Sequence, residues 1–315
     1  MQMNETNINL REFIMVGFQI PLPFKKFLFA IFLVTYMFTI SGNALIIVLS
    51  FISQQLNKPM YFFLSNLSVC EIILTTNIVP NMLCLLMVDQ VIISVPECFL
   101  QFYMFGTSAT TECFLLAVMS YDRYLAICSP LHYTSIMNER LCFTLVVIVW
   151  TTGFMATVGT IILMSSLQFC KTNSIDHFFC DREPILGLSC SDTAEVEVQA
   201  LVFSFCITLW PFIIIVWSYI SILRTIFKMI TIKERYKTFS TCSSHLIVVS
   251  MYYGTLIIMY VVPSNNQSFN VNKLLSLLYI VVTPLLNPII YSFMNRELRN
   301  ALLQCIYNMS SCIKY

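Results

Sequence analysis

The chain has 315 residues, 58% of them hydrophobic and 10% charged, with a formal net charge of +1. Soluble globular domains usually carry about 25% charged residues, so this composition excludes an ordinary soluble enzyme domain and points to a polytopic membrane protein. The near-neutral balance leaves no electrostatic footprint for nucleic acid or another acidic polymer.

The first nine residues are polar and include a glycosylation sequon at Asn4-Glu5-Thr6. No short apolar segment with a small-residue cleavage site follows, so the first long apolar run is expected to serve as the membrane signal and remain in the bilayer. Five runs, Phe27–Asn57, Leu141–Cys170, Val198–Leu223, Thr238–Asn272 and Leu274–Asn295, contain no Asp, Glu, Lys or Arg. Two more, Pro59–Val88 and Cys98–Tyr121, are each broken by one carboxylate, Glu71 and Glu112. A bilayer core needs about 20 apolar residues per helix, which predicts an all-α bundle of seven spans: about 27–51, 60–87, 98–127, 141–164, 197–226, 238–262 and 273–293. Residues 1–26 then form one tail and 294–315 the other, within a single domain. Pro263-Ser-Asn-Asn-Gln-Ser reads as the loop that ends span six.

Direction follows from the loop charges. With the N-terminus outside, eleven of the 17 Lys and Arg lie in inner segments, Arg224, Lys228, Lys233, Arg235 and Lys237 among them. Six lie outside, and Lys25 and Lys26 run against the bias. The cysteines sort the same way. Cys98, Cys170, Cys180 and Cys190 fall in outer segments, where disulfides form. Three pairings are open. A bond from Cys98, at the outer start of span three, to the central loop cysteine Cys180 would pin the long loop 168–197 over the bundle, leaving Cys170 with Cys190. His177 is the one histidine near these thiols, too few ligands for a zinc site, so no metal is expected. Cys305 and Cys312, after the last span, are candidates for lipidation or remain free thiols.

Ionisable groups within spans are costly and usually functional. Glu71 and Glu112 are expected to face the bundle interior with Asn43 and Asn287, either sharing a sodium ion or forming a hydrogen-bonded network with no ion. Asp122-Arg123, at the inner end of span three, is either solvated interface or a latch that can release and bind something else. Prolines 80, 211, 284 and 288 free backbone carbonyls within spans and let helices bend.

Several runs match one family. Met119-Ser-Tyr-Asp-Arg-Tyr-Leu-Ala-Ile-Cys-Ser-Pro-Leu-His-Tyr133 resembles the end of helix three in odorant (olfactory) receptors, a branch of the rhodopsin-like G-protein-coupled receptors. Pro59-Met-Tyr-Phe-Phe-Leu-Ser-Asn-Leu-Ser68, Lys237-Thr-Phe-Ser-Thr-Cys-Ser-Ser-His-Leu246, Pro284-Leu-Leu-Asn-Pro-Ile-Ile-Tyr291 and Gly42-Asn43 are similar to its helices two, six, seven and one. The motifs fall in order and cover all but the termini, with the wording of the tetrapod-type (class II) branch. Ser120 and Thr238 stand where alanine is frequent.

The resemblance implies a rhodopsin-like bundle with a short amphipathic helix after span seven, placed in the plasma membrane and, for this family, in olfactory cilia. It implies the Cys98–Cys180 and Cys170–Cys190 bonds. Arg123 would leave Asp122 to engage a stimulatory, olfactory-type heterotrimeric G protein that raises cyclic AMP, with Tyr219 and Tyr291 lining the cavity. Glu71 and Glu112 match the family's acidic pair. The implied odorant pocket takes Phe105, Gly106, Ala109 and Thr110 from span three, and Phe203 and Ile207 from span five. Span six adds Tyr253, Leu256, Ile257 and Tyr260, and span seven Leu277 and Ile280. Tyr253 holds the switch position. Such a lining suits small neutral molecules held by burial and one or two hydrogen bonds. Phe105 stands where a receptor for amines would want a carboxylate.

Other classes fit less well. No inverted repeat or ring of charges suggests a transporter or channel. The histidines His132, His177 and His245 lie too far apart along the topology to converge on an enzyme site. A receptor for a peptide or lipid lacks the helix-six wording and the outer cysteine pattern.

Overall fold

A computed structural model describes residues 11–18, 20–170, 173–261 and 269–312. The side chains at 237, 240, 241, 257–261, 269–272, 293, 296 and 308–312 lie outside that description, as does the sequon at Asn4.

The spans are helices. Spans one to three are α1 (Leu22–Ile52), α2 (Pro59–Met87) and α3 (Val95–Cys128). A short α4 (Pro130–Ile136) then leads into span four, α5 (Glu139–Ser165). After the loop helix α6 (Arg182–Gly187) come spans five and six, α7 (Ala194–Lys228) and α8 (Ile232–Val261). Span seven is composite: α9 (Phe269–Leu277), a π-turn at Leu278–Val282, and α10 (Thr283–Met294). A final helix, α11 (Arg296–Cys312), follows it.

Local chemistry sets the starts. Proline stands in the first helical positions of α1, α2, α3 and α4, where its missing N–H costs nothing. The Ser94 side chain accepts from the Glu97 amide while Glu97 accepts from the Ser94 amide, a capping box. Asn138 caps α5 by accepting from the Leu141 amide at 2.9 Å. The helices overrun the predicted spans, α7 from Ala194 rather than 197 and α8 from Ile232 rather than 238. Hydropathy marks the apolar slab, whereas a helix continues into water wherever caps and packing support it.

The helix α3 is the axis of the bundle. In its most apolar window 61% of residues are buried, against 17% in α1 and α7. Large side chains on α1, α5 and α7, such as Phe38, Met155 and Trp210, point outward, as lipid-facing helices require. Six helical segments among the described residues are long and apolar enough to cross a membrane, and α8, 30 residues long with a charged first turn, completes the seven.

One feature departs from the all-helical expectation. Glu12–Val16 forms strand β1, paired antiparallel with β2 (Gln90–Ser94) and parallel with β3 (Ser174–Ile175), in the order β2-β1-β3. The alternation in Glu-Phe-Ile-Met-Val buries Phe13 and Met15 completely. Glu12–Val16 of the N-terminal tail is therefore the central strand of a cap. Lys25, which ran against the charge bias, donates to Asp89 at 2.5 Å beside this sheet, and that contact holds the Asp89 carboxyl below its usual range.

Candidate functional site

The long loop closes the end of the bundle that carries β1. Cys98–Cys180 ties it to the start of α3, and Cys170–Cys190 closes a smaller ring within it, the pairing expected from the sequence. The Cys180 amide donates to Gln101 Oε1 at 2.8 Å, and Gln101 in turn exchanges two hydrogen bonds of 2.9 Å with Asn77 of α2. The loop thus hangs from two helices by a covalent bond and a buried amide relay.

Beneath it, Phe178 and Phe179 are driven into the bundle with at most 1% exposure. Phe178 stacks on Phe18 of the tail at 5.7 Å, and Phe179 packs against Phe105 of α3 at 5.2 Å. Lys273, at the end of span seven near this cap, donates to Asp176 at 2.6 Å and to the Gly17 carbonyl at 3.3 Å. One ammonium therefore straps tail, loop and α9 together. His177 is buried between Phe178 and Phe179, each ring 4.7 Å away.

Burial, and secondarily the Lys273 charge, pushes the His177 pKa down to about 4, with Asp176 opposing. The ring is neutral in the closed lid, so it contributes stability above its ordinary pKa of about 6.5, lost progressively as pH falls towards 4. Amide exchange across 173–182, corrected for intrinsic rates, is expected to rise between pH 6.5 and 4. In His177→Phe the rise should be absent; an identical rise there would assign it to other groups.

Below the lid an aromatic chain runs across the core. Phe105 meets Tyr279 edge-on at 6.0 Å, Tyr279 meets Tyr252 at 5.8 Å, Tyr252 meets Tyr253 at 5.3 Å, and Tyr253 meets Phe212 of α7 at 5.0 Å. Tyr252 donates to the Ala109 carbonyl at 2.8 Å. The Tyr253 hydroxyl lies 3.1 Å from Cys113 Sγ, and that thiol approaches the Ile207 carbonyl at 3.6 Å. Pro211 has no N–H for the carbonyl four residues earlier, so Cys113 takes up what Pro211 leaves free and joins α3, α7 and α8.

Deeper still lie the two carboxylates, each 1% exposed. Tyr279 Oη donates to Glu112 Oε2 at 3.3 Å, and Asn287 Nδ2 donates to Glu71 Oε1. Asn43 donates to the Thr39 and Pro284 carbonyls at 3.1 and 3.3 Å, joining α1 to span seven. Among the described residues, Asn43 Oδ1, Glu71 Oε2, Glu112 Oε1 and Asn287 Oδ1 are buried without a hydrogen-bond partner. An oxygen-only set suits a hard cation, or protons carried by the carboxyls. The π-turn presents Tyr279 to this cluster, and such turns mark functional sites frequently.

At the opposite end, Arg123 Nη2 lies 3.2 Å from Asp122 Oδ2, and Tyr133 of α4 donates to Asp122 Oδ1 at 2.7 Å. Tyr219 Oη lies 2.6 Å from His245 Nδ1. Tyr291 is fully buried, and its hydroxyl has no partner among the described residues.

The structure gathers some predicted pocket residues and separates others. Phe105, Ala109, Thr110, Tyr253, Leu256, Leu277 and Ile280 are buried or half-buried in the bundle. Gly106 turns instead to α5, where an added Cβ would come within 2.8 Å of Thr157. Phe203 is 43% exposed and, with Ile207, lines a groove between α5 and α7 that faces outward. The side chains of Ile257 and Tyr260 lie outside the described residues. Sequence reasoning missed Phe179, Tyr279, Cys113 and Tyr133. Only Cys113 had a legible cue, through the carbonyl freed by Pro211.

Known proteins fit this architecture. The family model described as olfactory receptor matches residues 32–309. Human olfactory receptor 11A1 is 46% identical over 310 residues, covering 98% of this chain and 96% of that protein. Human olfactory receptor 10A5 is 47% identical over 295 residues, 93% of each. Squid rhodopsin superposes with a TM-score of 0.72 over 94% of this chain and 89% of its own, at 17% identity, which speaks to the fold alone. A near full-length match on a seven-helix bundle shows that the chain belongs to the olfactory receptor family of G-protein-coupled receptors: a multi-pass plasma-membrane protein, not an enzyme, whose partners are a small-molecule ligand and a G protein.

Proposed function

We propose that the receptor binds small, mostly apolar odorants in the half of the bundle beneath the disulfide-tied loop, with that end and the N-terminus outside the cell. Binding then activates a stimulatory, olfactory-type G protein that raises cyclic AMP. The observation that carries this reading is the unbroken aromatic chain from Phe179 through Phe105 and Tyr279 to Tyr253 and Cys113. A neutral ligand wedged among these rings perturbs Tyr253 directly, and the position of Phe105 offers no carboxylate for an amine. Ligand efficacy depends only on differential affinity for the active arrangement. Apolar burial contributes roughly 25 cal/mol per Å2, so binding is modest.

Glu71, Glu112, Asn43 and Asn287 form the candidate ion site of this reading, the two carboxyls either sharing a sodium ion or joined in a hydrogen-bonded network with no ion. Membrane lipid contacts the outward apolar faces and the basic stretch from Arg224, and Asn4 is the glycan acceptor.

The test is a cyclic AMP reporter in cells co-expressing the olfactory-type G protein, challenged with neutral volatiles while surface staining is followed. Thr110→Ala or Tyr260→Ala should shift the half-maximal concentration upward by roughly 5- to 30-fold, the loss of one hydrogen bond of about 1–2 kcal/mol. An unchanged dose response in both would remove span three and span six from the pocket.

A further inference from the structure

The described cap leaves little room for entry from its own end. Phe13, Met15, Phe178 and Phe179 are buried to 1% exposure or less, and Lys273 straps the three segments that carry or adjoin them. The bundle opens elsewhere. Between α5 and α7 lies a groove of about 750 Å3, floored by Phe114 of α3 and walled by Met155, Ala156, Cys206 and Trp210. Trp210 and Met155 are 64% and 72% exposed, on helix faces that meet lipid. Ligand clefts typically span about 300–1,000 Å3, so the groove can hold a small molecule.

Its walls decide the chemistry of an occupant. The only hydroxyls there, Thr151 and Thr152, donate to carbonyls of their own helix at 2.8–2.9 Å. No charged side chain lines it. A guest is held chiefly by apolar contact, with the Trp210 indole N–H as an available donor, and it arrives already dissolved in the bilayer.

The groove also connects inward. Ile207, in its wall, is the residue whose carbonyl meets Cys113 Sγ, and the same thiol contacts Tyr253. A guest pressing on Ile207 therefore bears directly on the junction of α3, α7 and α8.

We propose that the α5–α7 groove is a membrane-facing binding site for small, neutral, apolar molecules that partition into the bilayer, acting on the Ile207–Cys113–Tyr253 junction from the side. The inference deepens the reading above, since it takes its ligand class from there, but the site itself is testable without any signal.

The full-length receptor in lipid nanodiscs is exposed to a medium-chain alkyl diazirine, irradiated, and its labelled peptides quantified by mass spectrometry. Labelling of Met155 and Cys206 should saturate with probe concentration, whereas labelling of Phe143, exposed on α5 away from the groove, should rise linearly. Ala156→Trp and, separately, Cys206→Trp fill the groove from opposite walls, and each should cut the saturable labelling at least fivefold. Linear labelling at all three positions means that bilayer lipid alone fills the groove, and overturns the proposal. So does saturable labelling that both tryptophan variants retain. Saturable, tryptophan-sensitive labelling in a receptor that raises no cyclic AMP upholds the site and rejects the coupling assigned above.

Discussion

Arg123→Ala is expected to abolish ligand-dependent cyclic AMP production while the receptor still reaches the cell surface. In the structure the guanidinium Nη2 lies 3.2 Å from Asp122, and Asp122 is held from the other side by Tyr133. Arg123 Nε is buried with no partner among the described residues, so this arrangement leaves donor capacity unused. An Arg of this kind is a poor stability device, because desolvation offsets much of the attraction, and a good switch. Released, its planar fork of donors can reach the carbonyls of a docked partner, each charge-assisted bond contributing about 1.5–3 kcal/mol. Loss of two such bonds predicts a fall of 100-fold or more in coupling efficiency. Removing the Arg leaves Asp122 buried, but Tyr133 still donates to it, and the carboxyl can take up a proton. That is why delivery should survive. The measurement is the reporter response normalised to surface staining. A normalised response within threefold of the parent would show that Arg123 is only an interfacial charge.

How far such arguments could be made from sequence alone differs from residue to residue. The spans were legible because a bilayer demands about 20 apolar residues per crossing, and Glu71, Glu112 and Arg123 stood out as charges against that background. Compartment picked out the four outer cysteines but left three pairings open, and the position of Cys98 at the start of span three, with the family resemblance, favoured the pair that the structure shows. Strand β1 was not: five residues of alternating pattern near a terminus carry too little signal, and their burial depends on β2 and β3, which lie far along the chain. Nor was the facing of Phe203 and Gly106. In a membrane helix the lipid-facing and core-facing sides are both apolar, so periodicity fades as a guide. Rotation is then fixed by neighbours, as where Gly106 admits Thr157. The composite span seven was hidden too. Pro284 announced a disturbance, but only packing decides that a π-turn at 278–282 absorbs it and turns Tyr279 towards Glu112.

These placements make a coherent path. The lid reaches Phe105 through Phe179, and Phe105 reaches Tyr279, which bonds Glu112 and meets Tyr252. From Tyr253 the contacts pass to Cys113 and the Pro211 region of α7. The same helix carries Tyr219, bonded to His245 of α8 at the Arg123 end. Apart from the neighbouring rings Tyr252 and Tyr253, both on α8, the links join different elements of the bundle, so on the proposed reading a ligand that favours one packing of the rings would be felt by α7 and α8.

Cys98→Ser is expected to be more damaging than loss of the second disulfide, and for a reason beyond bond count. Its partner lies 82 residues away, against 20 for Cys170–Cys190, so the bond removes more freedom from the unfolded chain, roughly 4–5 against 3 kcal/mol in the chain-entropy account. Spans already held in the bilayer reduce both figures. What remains is positional. Without the Cys98–Cys180 tether, the Cys180 amide must hold Gln101 unaided, and Phe178 and Phe179 lose the anchor that keeps them buried. Exposing two aromatic side chains costs about 2–3 kcal/mol each. Thermal unfolding of the purified receptor should therefore shift down by roughly 5–10 °C in Cys98→Ser, with poor surface delivery. The shift in Cys190→Ser should be less than half of that, because the Cys190 amide still donates to the Gln168 carbonyl at 2.9 Å and holds the inner ring closed. Equal shifts in the two variants would mean that the lid is held by its packing rather than by its tether to α3, and would move the origin of closure to the Lys273 strap.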